Sequence, residues 1–237
     1  MNIEATFIRS AAGASDLPSD GVAEVALVGR SNVGKSSLIN ALVRQKVART
    51  SAAPGKTRLA NLYRVVRGSS RPFYLVDLPG YGYARGGASS AQEFEQLARA
   101  YFAVDDQGQT VSDHQDRRGA PGRPDPAVLL LVDARHPGLD SDLDAWTWMR
   151  QAVGAHALIA TKIDKLSRGE RSRAMRELQS VFDDPILPVS AATGEGLDEL
   201  WKLIDKLISS NPMPRNHGPT RKRAPRQTEL PKNPQKK

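Results

Sequence analysis

The stretch Gly29-Arg30-Ser31-Asn32-Val33-Gly34-Lys35-Ser36 matches the phosphate-binding pattern G-x-x-x-x-G-K-[ST] at every fixed position. Residues 24–28, just before it, form an apolar, β-prone run that predicts a buried strand. After it, apolar side chains recur at helical spacing: Leu38, Ile39, Leu42 and Val43. A strand, loop and helix in this order direct backbone N–H groups at phosphate oxygens. The alternative, an ordinary glycine-rich turn, is the weaker interpretation because both flanking elements are present.

Basic charge is concentrated at the C-terminal end of the 237-residue chain. Residues 211–237 hold eight Lys or Arg against one acid, Glu229, so this tail carries +7 of the formal net charge of +8. The tail has six prolines and no aliphatic run, and we expect it to be disordered. Its charge serves either solubility or binding to RNA phosphates, and because it lacks Phe, Tyr and Trp we do not expect base stacking to be its main mode of binding.

Composition also restricts the compartment and the domain organisation. The chain has no cysteine, which excludes disulfides and thiolate metal sites and fits a reducing cytosol. No apolar run approaches the ~18 residues of a membrane span, and the N-terminus lacks the features of a signal peptide. We expect a cytoplasmic monomer with an N-terminal segment (1–20), a nucleotide-binding domain (21–210) and the tail. Residues 105–126 have only two aliphatic side chains and are expected to form a disordered insertion.

Strand and helix patterns alternate along the domain. They predict an α/β fold with a doubly wound, mostly parallel sheet of about six strands flanked by helices. The predicted strands are 24–28, 59–66, 72–76, 127–132, 155–160 and 186–189. Residues 5–8 are a candidate edge strand. Beyond the helix after the phosphate-binding loop (P-loop, residues 29–36), helices are predicted at 93–104, 143–153, 170–182 and 196–208.

Two further segments suit a triphosphate and its metal ion. Asp77-Leu78-Pro79-Gly80 follows a predicted strand, 41 residues after Ser36. The aspartate can hold Mg²⁺ through water, and the Gly80 N–H can approach a γ-phosphate. In the loop before it, Pro54-Gly55-Lys56-Thr57, the threonine hydroxyl can join the Ser36 hydroxyl as a ligand of Mg²⁺. These are the places where switch loops of GTPases lie, although a single loop threonine is weak evidence by itself.

The segment Thr161-Lys162-Ile163-Asp164 identifies the base. A carboxylate accepts hydrogen bonds from N1–H and the 2-amino group of guanine, whereas adenine offers neither donor. Lys162 can lie along the ring and brace the P-loop, and Ser190-Ala191 can present backbone N–H groups to guanine O6. All the motifs follow one another at predicted strand ends, where ligands of such sheets bind. They predict GTP binding.

The chain resembles the EngB family of bacterial ribosome-assembly GTPases, which are translation-factor-related P-loop GTPases. The resemblance runs from about residue 18 to 208 and rests on the P-loop with Ser37 and on segments 54–57, 77–84 (DLPGYGYA), 133–136 (DARH) and 161–165. It implies GTP hydrolysis with Mg²⁺, a role in maturation of the large ribosomal subunit, and a link to cell division and septation. Thr161 stands where most GTPases carry asparagine, which suits this family. The insertion and the long tail are departures from its pattern.

Hydrolysis is expected to be slow. Many small GTPases carry a water-orienting glutamine where this chain has Tyr81. Two interpretations of Asn32 remain open: recruitment of K⁺ near the phosphates, as related GTPases imply, or tolerance of a left-handed turn. Alternatives to the EngB function are a GTPase of tRNA modification or of a membrane-linked class, and a GTP-switched RNA-binding module with negligible turnover. A P-loop kinase would have no need of residues 161–164.

Motifs and resemblance together specify the site residues. The predicted nucleotide-binding residues are Gly29, Arg30, Ser31, Asn32, Val33, Gly34, Lys35, Ser36, Gly55, Lys56, Thr57, Arg58, Leu59, Asp77, Leu78, Pro79, Gly80, Thr161, Lys162, Ile163, Asp164, Val189, Ser190 and Ala191. The predicted Mg²⁺ ligands are Ser36 and Thr57, and the predicted catalytic residues are Lys35, Asn32, Thr57 and Gly80.

Overall fold

The computed structural model describes residues 2–50, 59–81, 96–102 and 123–210. Expectations for Gly55, Lys56, Thr57 and Arg58, for residues 105–122 and for the tail therefore lie outside the described residues.

One sheet organises the described chain. Its strands are β1 (Ile3–Ala11), β2 (Ala23–Gly29), β3 (Ala60–Arg67), β4 (Phe73–Asp77), β5 (Ala127–Asp133), β6 (His156–Thr161) and β7 (Ile186–Pro188). Their order is β1-β3-β4-β2-β5-β6-β7. Strand β2 pairs in parallel with β4 and β5, and β5, β6 and β7 continue in parallel, whereas β3 is antiparallel to β4 and to β1. The predicted mostly parallel α/β sheet is confirmed, and the candidate edge strand β1 raises the number of strands from about six to seven.

Helices cover both faces of the sheet. They are α1 (Lys35–Val43), α2 (96–102), α3 (Asp140–Ala152), α4 (Arg168–Phe182) and α5 (Leu197–Ser210), with short 3₁₀ turns at Ala14–Asp16 and Ile163–Lys165. Every residue of β5 is buried, as expected for a parallel strand with helices on both sides. One core packs α1 and α5 against the sheet, and the other packs α2, α3 and α4 against the opposite face. In the described ranges no helix is long and apolar enough to cross a membrane.

A buried ion pair fixes the point where the chain returns to the sheet at residue 123. Arg123 donates from Nη2 to Glu24 Oε2 at 2.6 Å and from Nε to Glu24 Oε1, and the two side chains are only 8% and 1% exposed. Tyr101 donates its hydroxyl to Glu24 Oε2 at 2.7 Å, and Arg123 Nη1 donates to the Tyr101 carbonyl at 2.7 Å. In the same segment Pro124 and Pro126 are buried as well, whereas Asp125 is exposed. Arg123, Pro124 and Pro126 are therefore packed, so the end of the segment 105–126 does not fit the expected disordered insertion. The expectation counted only aliphatic side chains and overlooked the anchoring that a buried arginine supplies.

Candidate nucleotide-binding site

The P-loop connects the end of β2 to the start of α1 and wraps around a buried lysine. Gly29 lies against β5, where a Cβ would come within 2.7 Å of the Leu131 carbonyl oxygen, so only glycine fits. Lys35 donates to the carbonyls of Gly29 at 3.0 Å and Arg30 at 3.3 Å. Burial lowers the pKa of Lys35, and the nearby Asp77 carboxylate opposes that shift. The ammonium group therefore lies over the loop backbone, close to where phosphate oxygens would bind.

The partly buried Ser36 hydroxyl pairs with the buried Asp77 carboxylate. The Ser36 hydroxyl donates to Asp77 Oδ2 at 2.6 Å. The other carboxylate oxygen, Asp77 Oδ1, is buried and makes no hydrogen bond to any described residue. Burial raises the pKa of Asp77, although Lys35 and the Ser36 hydrogen bond act to lower it. A buried acceptor without a partner beside a hydroxyl suits a hydrated divalent cation, since Mg²⁺ prefers oxygen ligands and retains several waters.

Residues after Asp77 run along the P-loop. Gly80 is so close to it that a Cβ would lie 2.5 Å from the Ser31 backbone nitrogen. Ser31 N–H donates to the Tyr81 carbonyl at 3.1 Å. Leu78 and Pro79 are buried beneath this segment. The peptide of Gly80 is thus held at the mouth of the P-loop, the place where a γ-phosphate contact is expected.

Tyr81 points its ring into the protein core. Its hydroxyl donates to Asp142 Oδ1 on α3 at 2.8 Å, and both side chains are buried. This position cannot orient water as a glutamine would, in keeping with the expectation of slow hydrolysis. Asp142 is not among the predicted site residues, and no local sequence signal connects it to Tyr81.

Thr161 and Lys162 bind the P-loop to the neighbouring strands. The Thr161 hydroxyl lies 2.8 Å from the Val33 carbonyl oxygen and 3.1 Å from that of Val132. Lys162 donates to the Asn32 carbonyl and, at 2.9 Å, to Asp133 Oδ2. Asn32 takes the left-handed conformation, with φ of 62°. This is the turn role that stands as the alternative to K⁺ recruitment.

At the far end of the site, Asp164 is held by a serine side chain. Asp164 Oδ1 accepts a hydrogen bond from Ser190 Oγ at 2.7 Å, and this bond is the main reason that the pKa of Asp164 is lowered. Ser190 N–H donates to the Glu195 carbonyl at 2.9 Å, so it is not available to guanine O6, contrary to the expectation from sequence. Ala191 is the remaining backbone donor of that pair, and sequence reasoning overlooked the hydroxyl that positions Asp164.

Asp133 is the centre of a cluster of charges at the end of β5. Arg135 donates to Asp133 Oδ1 at 2.9 Å and to Asp133 Oδ2 at 2.7 Å, and Lys162 also donates to Oδ2. Burial acts to raise the pKa of Asp133, but the hydrogen bonds from Arg135 and Lys162 outweigh it and lower the pKa to about 2. The aspartate therefore remains charged and keeps Lys162 over the P-loop.

Asp133→Asn should lower the free energy of unfolding near neutral pH by about 1 kcal/mol, after discounting for solvent screening. A folded-state pKa of about 2, below the ordinary value of 3.8, means that the charge stabilises the protein above pH ~4. This contribution disappears as the pH falls towards 2. Urea unfolding of both proteins at a series of pH values should show their difference shrinking on acidification. A difference that does not depend on pH would contradict the assignment.

The described site residues gather at one edge of the sheet. The P-loop, Asp77 to Gly80, Thr161 to Asp164 and Val189 to Ala191 follow the carboxyl ends of β2, β4, β6 and β7. Leu59 is exposed just before β3, whose Asn61 pairs with Asp77. Ile163 and Val189 are buried and act as packing under the site.

Comparison with known proteins agrees with this geometry. A family model described as 50S ribosome-binding GTPase matches residues 24–146. A protein of Pelotomaculum thermopropionicum named "Probable GTP-binding protein EngB" is 39% identical over 209 residues, which cover 86% of this chain and 95% of the relative. The EngB relative from Thermotoga maritima is 38% identical, covering 86% of this chain and 96% of its own length.

Solved structures support the fold. A crystal structure of a probable GTP-binding protein EngB aligns over 80% of this chain and 100% of its own, with a TM-score of 0.56 and 20% identity. The family model matches more than half of the chain, and the EngB relatives are 38–39% identical to it over most of their length. The chain therefore belongs to the EngB family of GTP-binding proteins and is a GTPase.

Proposed function

We propose that this GTPase is a Mg²⁺-dependent switch in assembly of the large ribosomal subunit, acting in the cytoplasm and needed for normal cell division and septation. The observation that carries the proposal is the match to a family described as 50S ribosome-binding GTPases, which includes both the P-loop and the DLPG segment. The link to division and septation rests on the resemblance to the EngB family alone.

The Mg²⁺ part of the proposal is supported by the Ser36–Asp77 pair. Ser36 would be a direct ligand, together with phosphate oxygens and Thr57, which lies outside the described residues. The unpartnered Asp77 Oδ1 would accept a hydrogen bond from a metal-bound water. Among the described residues no group of three or more acidic or histidine side chains could hold a metal by itself. Nucleotide and cation would therefore bind together, and the cation would neutralise charge on the phosphates.

Catalysis would depend on positioning and charge. Lys35 would exchange its contacts with the P-loop carbonyls for β- and γ-phosphate oxygens, and the Gly80 N–H would donate to the γ-phosphate. Asp164, fixed by Ser190, would accept from the guanine N1–H and 2-amino groups. Tyr81 is committed to Asp142, so the nucleophilic water has no glutamine-like partner at this position. This site therefore supports a slow intrinsic rate, and the proposed role implies that a ribosomal particle would accelerate it.

The basic tail is the segment proposed to contact ribosomal RNA. Residues 211–237 carry +7, whereas the rest of the chain holds 26 basic and 25 acidic residues and is close to neutral. An arm of this composition binds by neutralising phosphates and releasing counterions, without reading the base sequence. The competing explanation is that the tail only keeps the protein soluble.

Ending the chain at Ser210 should weaken binding to large ribosomal subunits and flatten the plot of log affinity against log salt. The expected change in slope is roughly 0.7 for each phosphate of single-stranded RNA that the tail no longer neutralises. The measurement is co-sedimentation with purified large subunits at several salt concentrations, with GTP, with GDP and without nucleotide. GTP affinity of the truncated protein should match that of the full chain, since the nucleotide motifs end at Ala191.

A full-length variant with glutamine at the eight basic tail positions is the matched control, because it keeps the length and removes the charge. It should behave like the truncated protein. Parallel salt plots of equal affinity would show that the tail is not an RNA-binding arm. Co-sedimentation that is equally weak in every nucleotide state, with small and large subunits alike, would overturn the ribosomal proposal itself.

A further inference from the structure

Tyr81 forms hydrogen bonds through its backbone to the P-loop and through its side chain to helix α3, two elements that no sequence motif connects. Its carbonyl accepts from the Ser31 N–H of the P-loop at 3.1 Å, and its backbone forms a parallel bridge with Arg30. Its hydroxyl donates to Asp142 in the first turn of α3 at 2.8 Å. One residue thus links the P-loop to a helix on the core face of the sheet.

Asp142 is an unusual residue for the first turn of a helix. Such carboxylates normally face water, whereas Asp142 is only 2% exposed. The Arg30 guanidinium lies near both Tyr81 and Asp142, and its Nη1 is buried without a hydrogen-bond partner among the described residues. Burying a carboxylate is costly unless it is paired, so this position calls for a reason beyond helix stability.

We find a reason for burying Asp142 in Gly80, the residue before Tyr81. Gly80 packs against Ser31 so tightly that a Cβ would come within 2.5 Å of its nitrogen and 2.8 Å of its Oγ. The backbones of Gly80 and Ser31 are therefore in close contact. Because Tyr81 follows Gly80 directly in the chain, a shift of Tyr81 also shifts Gly80. Gly80 is the residue whose N–H is proposed to meet the γ-phosphate, which GTP has and GDP lacks.

We propose that Asp142 is a positioning residue for the GTPase: by holding the Tyr81 hydroxyl it fixes the Gly80 peptide against the P-loop and sets the preference of the site for GTP over GDP. The proposal rests on the assigned contact between Gly80 and the γ-phosphate. The hydrogen bond acts as a tether between α3 and the segment that must recognise the third phosphate. Loss of the tether leaves the α- and β-phosphate contacts of the P-loop in place, so GDP binding is retained.

The test measures dissociation constants for GDP and for a non-hydrolysable GTP analogue, with Mg²⁺, on the full chain. Tyr81→Phe removes only the hydroxyl and should reduce the preference for the triphosphate roughly tenfold, with GDP affinity unchanged. Asp142→Ala should match it, and the double variant should lose no more than either single variant. Asp142→Asn retains an acceptor oxygen and should restore most of the preference.

Tyr74→Phe is the matched control, because Tyr74 donates to Asp20 at the same distance of 2.8 Å on the same core face of the sheet, outside the P-loop and the DLPG segment. It should leave the preference unchanged. Gly80→Ala tests the proposed γ-phosphate contact separately from the Tyr81–Asp142 tether. If this variant keeps a full preference for the triphosphate, Gly80 does not contact the γ-phosphate. If Gly80→Ala loses the preference while Tyr81→Phe retains it, or if Tyr81→Phe weakens both nucleotides equally, the tether is refuted.

Discussion

Asp164→Asn is expected to lower the affinity for GTP by about 2–3 kcal/mol, roughly 30- to 150-fold, because it removes a charged acceptor that faces two donors of guanine. The asparagine amide would instead present a donor to N1–H and the 2-amino group. Xanthosine triphosphate, which carries a carbonyl in place of the 2-amino group, should therefore bind the variant better than GTP does. Competition binding with the two nucleotides measures both effects.

The local structure should survive this substitution, since an asparagine oxygen can still accept from Ser190 Oγ, the partner of Asp164 at 2.7 Å. Asp184→Asn is a suitable control, because Asp184 pairs with Arg150 at 3.5 Å and lies apart from the nucleotide motifs. It should leave both affinities unchanged. An Asp164→Asn protein that binds GTP as tightly as the original would refute the assignment of the base.

Arg123→Met should reduce the free energy of unfolding by about 3–5 kcal/mol. The substitution preserves much of the apolar stem but leaves the buried Glu24 carboxylate with the Tyr101 hydroxyl as its remaining partner in the cluster. An uncompensated buried charge is among the largest single costs that a substitution causes. Urea unfolding at neutral pH measures the loss.

Arg171→Met provides the matched comparison. Arg171 and Glu195 form an ion pair at 2.6 Å, and their side chains are 33% and 50% exposed. Because solvent screens this pair, it should contribute at most about 1 kcal/mol to the free energy of unfolding. Combining Arg123→Met with Glu24→Leu should recover part of the stability, because no lone charge remains buried. If both arginine substitutions cost the same small amount, burial of the Glu24 pair is not important for stability.

Features that depend on neighbours in sequence could be predicted. The P-loop, the DLPG segment and residues 161–164 each gather their chemistry within a few residues, and the uniformly apolar run of β5 indicates a buried strand by itself. Their meeting at one sheet edge follows from the rule that parallel strands in an α/β sheet present their carboxyl ends together. That rule accounts for most of the site.

Features that depend on packing between distant elements could not be predicted. Tyr81 and Asp142 are 61 positions apart, and Glu24 and Arg123 are 99 apart. A buried carboxylate or arginine looks the same in sequence as an exposed one. Strand β1 was hard to predict for a different reason: as an edge strand it is mostly exposed, and a bulge between Phe7 and Arg9 interrupts its alternation.

The Arg123 anchor also affects how the fold tolerates changes in chain length. Because Arg123 is bonded directly to the Tyr101 carbonyl, the two ends of the chain that flank residues 103–122 are fastened side by side. For a flexible connection between two fixed ends, the entropy of closure rises only logarithmically, by about 0.6 kcal/mol for each doubling of length. A change in the number of residues between Phe102 and Arg123, such as the insertion of a fluorescent tag, is therefore expected to cost the sheet little stability, provided that Arg123 remains.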